Sequence, residues 1–273
     1  MFNFIKNYMN KKKSVNEQKS EDKDANKKIP SSIDKVLNYF KSEFDNSLDL
    51  TIREIDITKT KAAVITMEGM INKQIFANSV LNPIVSHCND DNLNVKEKYE
   101  YIKNSILATS EQVEVDTYDQ AFKLVMSGFA LLVFDGYNKI LAIGVQGFSF
   151  RGITEPETEI MQKGSREGLV EALRINVTLI RRRIKNPKLK FEVLSIGKTS
   201  QTDICLCYLT DMVSDDNLDE LKRRLKKVDL ENILAAEFIT PYLEENGDIS
   251  FFSTIGITER PDTVCGKISE GRI

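Results

Sequence analysis

A helical repeat of apolar residues in the middle of the chain predicts a helix from Ser165 to Ile184. The apolar positions recur at steps of three and four, which places them on one stripe: Leu169, Leu173, Val177, Ile180 and Ile184. A polar face recurs at the same steps: Glu167, Glu171, Arg174, Thr178 and Arg181. Ser165 is a suitable N-cap, and Pro187 ends the helix. The pattern is equally typical of an ordinary surface helix with a solvated charged face.

The first half of the chain alternates between helical and strand periods. Helices are expected to begin at Ser32, Asn72, Lys96 and Thr117; the second stops at Asn82-Pro83, and a loop follows over Val85–Asn94. The predicted strands are Leu50–Ile57, Lys61–Glu68, Glu111–Val115, Phe129–Phe134 and Ile140–Val145. The turn signal Asp135-Gly136 predicts that the last two strands form a hairpin. Their continuous apolar runs indicate that both faces of these strands are covered by other parts of the protein.

The second half repeats this mixture without an exact internal repeat. Strands are predicted at Lys190–Ile196, Thr202–Leu209 and Ser250–Ile257, and a helix at Asp215–Val228. Leu230–Glu245 is expected to be helical in part and interrupted at Pro241. A short final helix opens at Pro261 and ends at Gly271.

Helices and strands mixed in this way, with hairpins, indicate an α/β protein of the mixed α+β type. We expect a disordered basic tail over residues 1–29, an N-terminal subdomain over 30–148 and a C-terminal subdomain over 149–273. The boundary falls near Gly147–Phe150, and a cleft between the two subdomains is the default ligand pocket.

Composition excludes several classes of protein. The 273 residues carry 38 basic and 41 acidic side chains, a net charge of −3, so no basic excess points to nucleic acid. Residues 1–28 contain eight lysines and four acidic residues, a local charge of +4 that suits either disorder or contact with anionic lipid. No apolar run is long enough to span a bilayer. Cys205 and Cys207 are expected to be buried thiols on one strand face, in a reducing compartment.

Catalytic chemistry has few candidates, so we predict no enzyme, no metal and no cofactor. The single histidine, His87, lies beside Cys88 in the expected loop, and a lone loop histidine is most often a surface residue. Gly197-Lys198-Thr199 lacks the upstream glycine that a phosphate-binding loop needs. The basic clusters at residues 181–183 and 222–227 lack interleaved aromatic residues, which disfavours nucleic acid and favours partners, anionic lipid or solvated helix ends.

Three charged motifs, in this order, resemble the A subunits of GerA-type spore germinant receptors. The first is RGITEP at 151–156 followed by GSREG at 164–168; the second is Asn176 followed by LIRRRI at 179–184; the third is TERPD at 258–262 followed by EGR at 270–272. The resemblance covers the chain from about residue 40 onward. Ser165 and Leu169 replace the proline and phenylalanine that are usual in the family.

Membership would imply the N-terminal domain of a larger membrane protein at the cytoplasmic face of the spore inner membrane. The implied partners are receptor B and C subunits, other A subunits and a small-molecule nutrient, with membrane contact through the full-length protein. The residues expected to brace the subdomain junction or a subunit interface, or to form the exit to the membrane, are Arg151, Glu155, Pro156, Arg166, Glu167, Asn176, Arg181, Arg182, Arg183, Glu259, Arg260, Pro261, Asp262, Glu270 and Arg272.

These residues are expected to act mechanically, by coupling nutrient sensing to the membrane part of the receptor. The alternative is a free-standing module that binds a small metabolite in its interdomain cleft.

Overall fold

A computed structural model describes residues 27–87, 93–107, 109, 111–147, 159, 164–244 and 255–273. Residues 1–26 of the expected tail lie outside this part. The fold already includes residues 27–29: Lys28 forms a β-bridge with Thr117, and Ile29 is only 3% exposed. The folded region therefore begins before Pro30, where it was expected to open.

A five-stranded antiparallel sheet, the larger sheet, forms the first half of the protein. Its strands are β1 (Leu50–Ile57), β2 (Thr60–Met67), β3 (Gln112–Val115), β4 (Phe129–Phe134) and β5 (Ile140–Gly144), in the spatial order β1-β2-β4-β5-β3. The predicted hairpin is confirmed, because Leu132 of β4 pairs with Leu141 of β5. Every residue of β4 is buried, as its continuous apolar run predicted.

Helices cover both faces of the larger sheet. One face packs against α1 (Ile33–Glu43) and α5 (Tyr118–Val125); the other packs against α2 (Lys73–Phe76), α3 (Asn82–His87) and α4 (Val95–Tyr101). A π-helical turn (Ala77–Leu81) joins α2 to α3, and another (Ile102–Ile106) follows α4. The predicted stop at Asn82-Pro83 and the loop assignment of His87 are therefore wrong. The helical backbone continues through Pro83, and the π-helical turn directly before it is the local irregularity that accompanies a proline inside a helix.

The turn between β1 and β2 carries local backbone strain. Thr58 and Lys59 have φ angles of 43° and 63°, in the left-handed region that β-branched residues rarely adopt. The hydroxyl of Thr58 is also buried, with no hydrogen-bond partner among the described residues. The ammonium group of Lys98, which is 3% exposed, donates to the carbonyl of Thr58 and, at 3.0 Å, to Oγ1 of Thr60. Lys98 thus holds the turn closed.

Replacing Thr58 with glycine should raise the free energy of unfolding by about 1 kcal/mol, because glycine carries no left-handed penalty and removes the unpartnered hydroxyl. The midpoint of urea denaturation measures the change. The same substitution at Thr51, an exposed position within β1, should instead lower stability by about 0.5–1 kcal/mol. Equal losses at the two positions would contradict the assignment of strain to Thr58.

The second half of the protein is built on a two-stranded antiparallel sheet, the smaller sheet. Its strands are β6 (Leu189–Ile196) and β7 (Thr202–Leu209), and Phe191 pairs with Cys207. One face packs against α6 (Leu173–Arg183) and α9 (Pro261–Ile268). The opposite face packs against α7 (Asp215–Leu225) and α8 (Thr240–Leu243). A 3₁₀ turn (Ala236–Phe238) precedes α8.

The central helix is shorter than its apolar repeat predicted. It begins at Leu173 rather than Ser165, with Ala172 in the N-cap position. The reason is Asn176, whose side chain accepts from the amide of Val170 at 2.8 Å and donates to its carbonyl. Both backbone groups of Val170 are therefore bonded to a side chain, which keeps residues 164–171 out of the helix.

Two further expectations fail in the second half. Pro241 lies in the first turn of α8 and so opens this helix rather than interrupting it. Residues 255–257 are not in a strand, and the remainder of the predicted strand, up to residue 254, lies outside the described residues. The final helix is confirmed, and Gly271 follows it with a φ of +83°.

A candidate functional site at the junction of the two sheets

The larger and smaller sheets meet at the segment between α1 and β1. Asp45 and Asn46 turn this segment with φ angles of 45° and 50°, so that it runs back along the smaller sheet. The amide of Leu48 donates to the carbonyl of Phe191 at 3.3 Å, and the amide of Phe191 donates to Oγ of Ser47 at 3.1 Å. β6 is thereby joined to the chain that enters the larger sheet.

A buried ion pair crosses this junction. Nε of Arg181 donates to Oδ2 of Asp49 at 2.6 Å, and Nη2 donates to Oδ1 at 3.0 Å, which is the bidentate geometry that guanidinium and carboxylate groups favour. Arg181 is 0% exposed and Asp49 is 2% exposed. A charge pair removed from water in this way is tolerated only where its geometry is good and its other hydrogen bonds are made.

The remaining donors of Arg181 are also used. Nη1 donates to the carbonyl of Asn186 at 2.8 Å, and Nη2 donates to the carbonyl of Leu189 at 2.7 Å. Ser47 donates its hydroxyl to Oδ1 of Asp49 at 2.8 Å. One guanidinium group therefore holds together α6, the loop before β6 and the entry to β1.

Exposed charges surround this buried pair. Arg174 is paired with Glu68, Lys188 with Glu43 and Lys190 with Asp45, and Lys185 donates to the hydroxyl of Ser127. In each of these four contacts the basic residue lies in the second half of the chain and its partner in the first half. The two halves therefore present complementary charge at the rim of the junction.

Backbone and side chain come very close at the centre of the junction. Gly69 has a φ of +79°, and a Cβ atom placed on it would lie 1.9 Å from Oγ1 of Thr178 in α6. A small depression lies beside this contact, lined by Leu48, Asp49, Glu68, Leu173, Arg174 and Val177. Its cavity volume is about 10 Å³, room for one water molecule at most and far below the roughly 300–1,000 Å³ of small-molecule pockets.

Residues 164–171 form a segment, here called the strap, that lies along α6. Glu167 in the strap accepts two hydrogen bonds from Nη2 of Arg182, at 2.6 and 2.7 Å, and also pairs with Arg183. Burial would raise the pKa of Glu167, but the hydrogen bonds from Arg182 and Arg183 lower it below its ordinary value. The three successive arginines thus serve two purposes: Arg181 holds the junction and the other two hold the strap.

The lowered pKa of Glu167 predicts a loss of stability in acid. The contribution of ionised Glu167 to stability is fully present above its unfolded-state pKa of about 4.3. It disappears as the pH falls through the lower pKa of Glu167 in the folded state. Glu167→Gln should therefore reduce stability at pH 7 by about 1 kcal/mol and flatten its decline at acid pH. Thermal melts from pH 7 to pH 3 measure both effects, and the same change at exposed Glu171 is the control. An unchanged acid limb in Glu167→Gln would refute this role.

The strap also contacts the C-terminal motif. The amide of Leu169 donates to the carbonyl of Glu259 at 2.7 Å. Glu159 accepts from the hydroxyl of Thr258 at 2.7 Å and from the amide of Glu259 at 3.0 Å. Arg260 is buried and pairs with Asp262 at 3.1 Å, next to Pro261 at the start of α9. These contacts tie the segment that enters the second half to the segment near its end.

The other predicted site residues are distributed as follows. Arg151, Glu155 and Pro156 lie outside the described residues. Arg166 is exposed on the strap. Glu270 pairs with Lys267 at 3.0 Å and lies 4.0 Å from Arg272, both at the exposed end of α9. The structure therefore brings Glu167, Asn176 and the three arginines together around α6, with Glu259 and Arg260 beyond the strap.

Sequence reasoning missed Ser47, Asp49 and Glu68, which supply the other side of the junction. The available signal was an acidic residue placed directly before a strand, within an otherwise apolar stretch (SLDLTI, 47–52). Among the described residues no group of three or more histidine, cysteine or carboxylate side chains is placed to hold a metal ion. No described helix combines the length and the apolar character that crossing a bilayer requires.

Fold and site together define a mixed α+β domain in which a buried ion pair joins two helix-covered sheets. Residues 38–273 match the family described as Bacillus/Clostridium GerA spore germination protein. The chain belongs to this family, which confirms the resemblance carried by its charged motifs.

Individual relatives agree with this assignment. The chain is 33% identical to spore germination protein KA of Bacillus subtilis over 247 residues, covering 89% of this chain and 45% of that protein. It is 26% identical to spore germination protein GerLA of Bacillus cereus over 239 residues, covering 87% and 48%. The chain thus spans about half the length of the curated relatives it matches.

A solved structure matches over nearly the whole chain. It is the N-terminal domain of the A subunit of the Bacillus megaterium spore germinant receptor GerK3, with a TM-score of 0.70 and 27% identity. The match covers 90% of this chain and 91% of that one. The mixed α+β fold class predicted from the sequence is therefore confirmed.

Proposed function

We propose that this chain is the N-terminal domain of a germinant-receptor A subunit and that it couples nutrient sensing to the membrane part of the receptor. Its two subdomains, residues 30–148 and 149–273, would transmit the signal through the junction around Arg181 and Asp49. In this proposal the domain faces the cytoplasm at the spore inner membrane and assembles with B and C subunits and other A subunits.

The buried Arg181–Asp49 pair is the observation that carries the proposal. A buried ion pair contributes little net stability compared with apolar packing, but it is strongly directional and costly to break. It therefore favours one relative arrangement of two packed units over neighbouring ones. A signal passed between the two sheets needs such a defined arrangement, since loosely packed units would move independently of each other.

The exposed charges at the rim provide a test that leaves the fold intact. Lys188→Glu in the full-length receptor should slow germination by about five-fold, the change that 1 kcal/mol of coupling produces, because it places two negative charges across the junction. Adding Glu43→Lys should restore the rate, since the pair is re-formed with its charges exchanged. Germination of spores that carry each variant is followed by the fall in optical density.

Lys139→Glu is a closely matched control. Lys139 is 41% exposed and lies 3.3 Å from Glu114, while Lys188 is 39% exposed and lies 3.0 Å from Glu43. The control pair lies within the larger sheet, so its reversal should leave germination unchanged. Equal slowing by both variants, or no restoration in the double variant, would refute coupling through the junction.

A thermal-shift experiment separates coupling from direct capture of a metabolite. A ligand present at a hundred times its dissociation constant raises stability by about 2.7 kcal/mol. The purified chain is expected to show no such shift with amino acids, sugars or nucleosides, because the junction depression is small. A strong, selective shift would favour a ligand-binding module instead.

A further inference from the structure

Two cysteines on β7 form a close pair of thiols. Sγ of Cys205 and Sγ of Cys207 lie 3.7 Å apart, since side chains two residues apart on a strand point to the same face. Both are half-buried against the apolar cluster between the smaller sheet, α6 and α9. Their other contacts are long: 3.7 Å from Sγ of Cys205 to the carbonyl of Leu206, and 3.9 Å from Sγ of Cys207 to the carbonyl of Cys205.

The separation of the two sulfurs fits a bridging ion better than a direct bond. Cα atoms two apart on a strand lie roughly 6.6 Å apart, close to the upper limit for a disulfide. A metal ion about 2.3 Å from each sulfur would instead subtend an S–metal–S angle of about 107° at the observed 3.7 Å. This angle is close to tetrahedral, so the pair can chelate without moving the strand.

We propose that Cys205 and Cys207 form a dithiolate site for a soft cation of the zinc or cadmium type. Thiolates select such ions over magnesium and calcium, and binding would release the thiol protons to solvent. The nearby carboxylate of Glu192 is engaged by Lys222 at 2.8 Å and by the hydroxyl of Tyr208 at 3.1 Å, on the opposite face of the sheet. An ion held by these two half-buried thiols would take its remaining ligands from solvent or from an added ligand, so it would be exchangeable.

The position of the site links it to the junction. Cys207 pairs across the sheet with Phe191, whose backbone bonds to Ser47 and Leu48. An ion at the thiol pair would thus lie one strand away from the contact between the two sheets. The binding site itself does not depend on the coupling role proposed above.

Cadmium titration of the reduced chain tests the proposal. Binding should produce an ultraviolet sulfur-to-metal charge-transfer band whose intensity corresponds to two thiolates. Cys205→Ser and Cys207→Ser should each weaken binding by roughly ten-fold or more, because each removes one arm of the chelate. Alanine at the same positions should have the same effect, and thermal melts of every variant confirm that it is folded.

The two other cysteines are internal controls. Cys265 is buried in the same cluster, and Cys88 is distant in sequence; their serine variants should keep both the affinity and the band intensity. A band that depends on Cys265 or Cys88, one that corresponds to a single thiolate, or no band at all would overturn the proposal.

Discussion

Arg181→Leu should lower the free energy of unfolding by about 3–5 kcal/mol, the largest effect expected of any substitution at the junction. Removing the guanidinium group leaves Asp49 charged and buried, and it deprives the carbonyls of Asn186 and Leu189 of their donor. Equilibrium denaturation of the purified chain measures the loss. The double variant Asp49→Leu/Arg181→Leu should recover at least half of it, because apolar replacement of a whole buried pair is often neutral.

Arg174→Leu is the matched control for this prediction. Arg174 lies two turns earlier on α6 and also pairs across the junction, with Glu68, but its side chain is 66% exposed. An exposed ion pair contributes about 0–1 kcal/mol, so the control should remain close to the wild-type stability. Similar losses in Arg181→Leu and Arg174→Leu would show that breaking the buried pair costs no more stability than breaking the exposed one.

Gly69→Ala should lower stability by about 2–5 kcal/mol, the second-largest effect expected at the junction. The left-handed φ costs an alanine about 1–2 kcal/mol, and the overlap with Thr178 adds about 1–3 kcal/mol. Adding Thr178→Ala should remove the overlap but leave the cost of the backbone conformation. The double variant should therefore regain about half of the loss, which a double-mutant cycle measures as coupling between the two sheets.

Gly266→Ala is the contrasting control. Gly266 lies within α9, and a Cβ atom there would meet nothing within 4 Å. Alanine should stabilise this helix by about 1 kcal/mol, because it has the higher helix propensity. Complete recovery of the Gly69→Ala loss by Thr178→Ala would contradict the assigned backbone cost. No recovery would contradict the overlap.

The strands of both sheets could be predicted from the sequence because local signals define them. Phe129–Phe134 and Ile140–Gly144 are apolar runs on either side of a turn, and β7 was predicted at its observed bounds. These features depend on neighbours within about ten residues. The start of α6 could not be predicted in this way, since it depends on the side chain of Asn176 bonding to Val170 in competition with the helix.

The candidate site was predictable only on one side. The helical repeat places Arg181 outside the apolar stripe of α6. The repeat does not show whether such a charged residue is solvated or is buried and paired. The distinction depends on Asp49, which lies 132 residues away in the chain. No local rule connects these two residues. The sequence therefore indicated the three arginines but not Asp49, the carboxylate that pairs with Arg181.

The hydrogen bond from Leu169 to Glu259 places the start and the end of the second half side by side. The intervening chain, from α6 to α8, therefore begins and ends at the same place in the fold. A tensile load applied at the C-terminal end of the chain would therefore reach the strap through this contact, in addition to reaching α6 and the smaller sheet through the packing of α9. The hairpin tip at residues 197–201 lies off that line of force, and an inserted peptide there should leave load transmission intact.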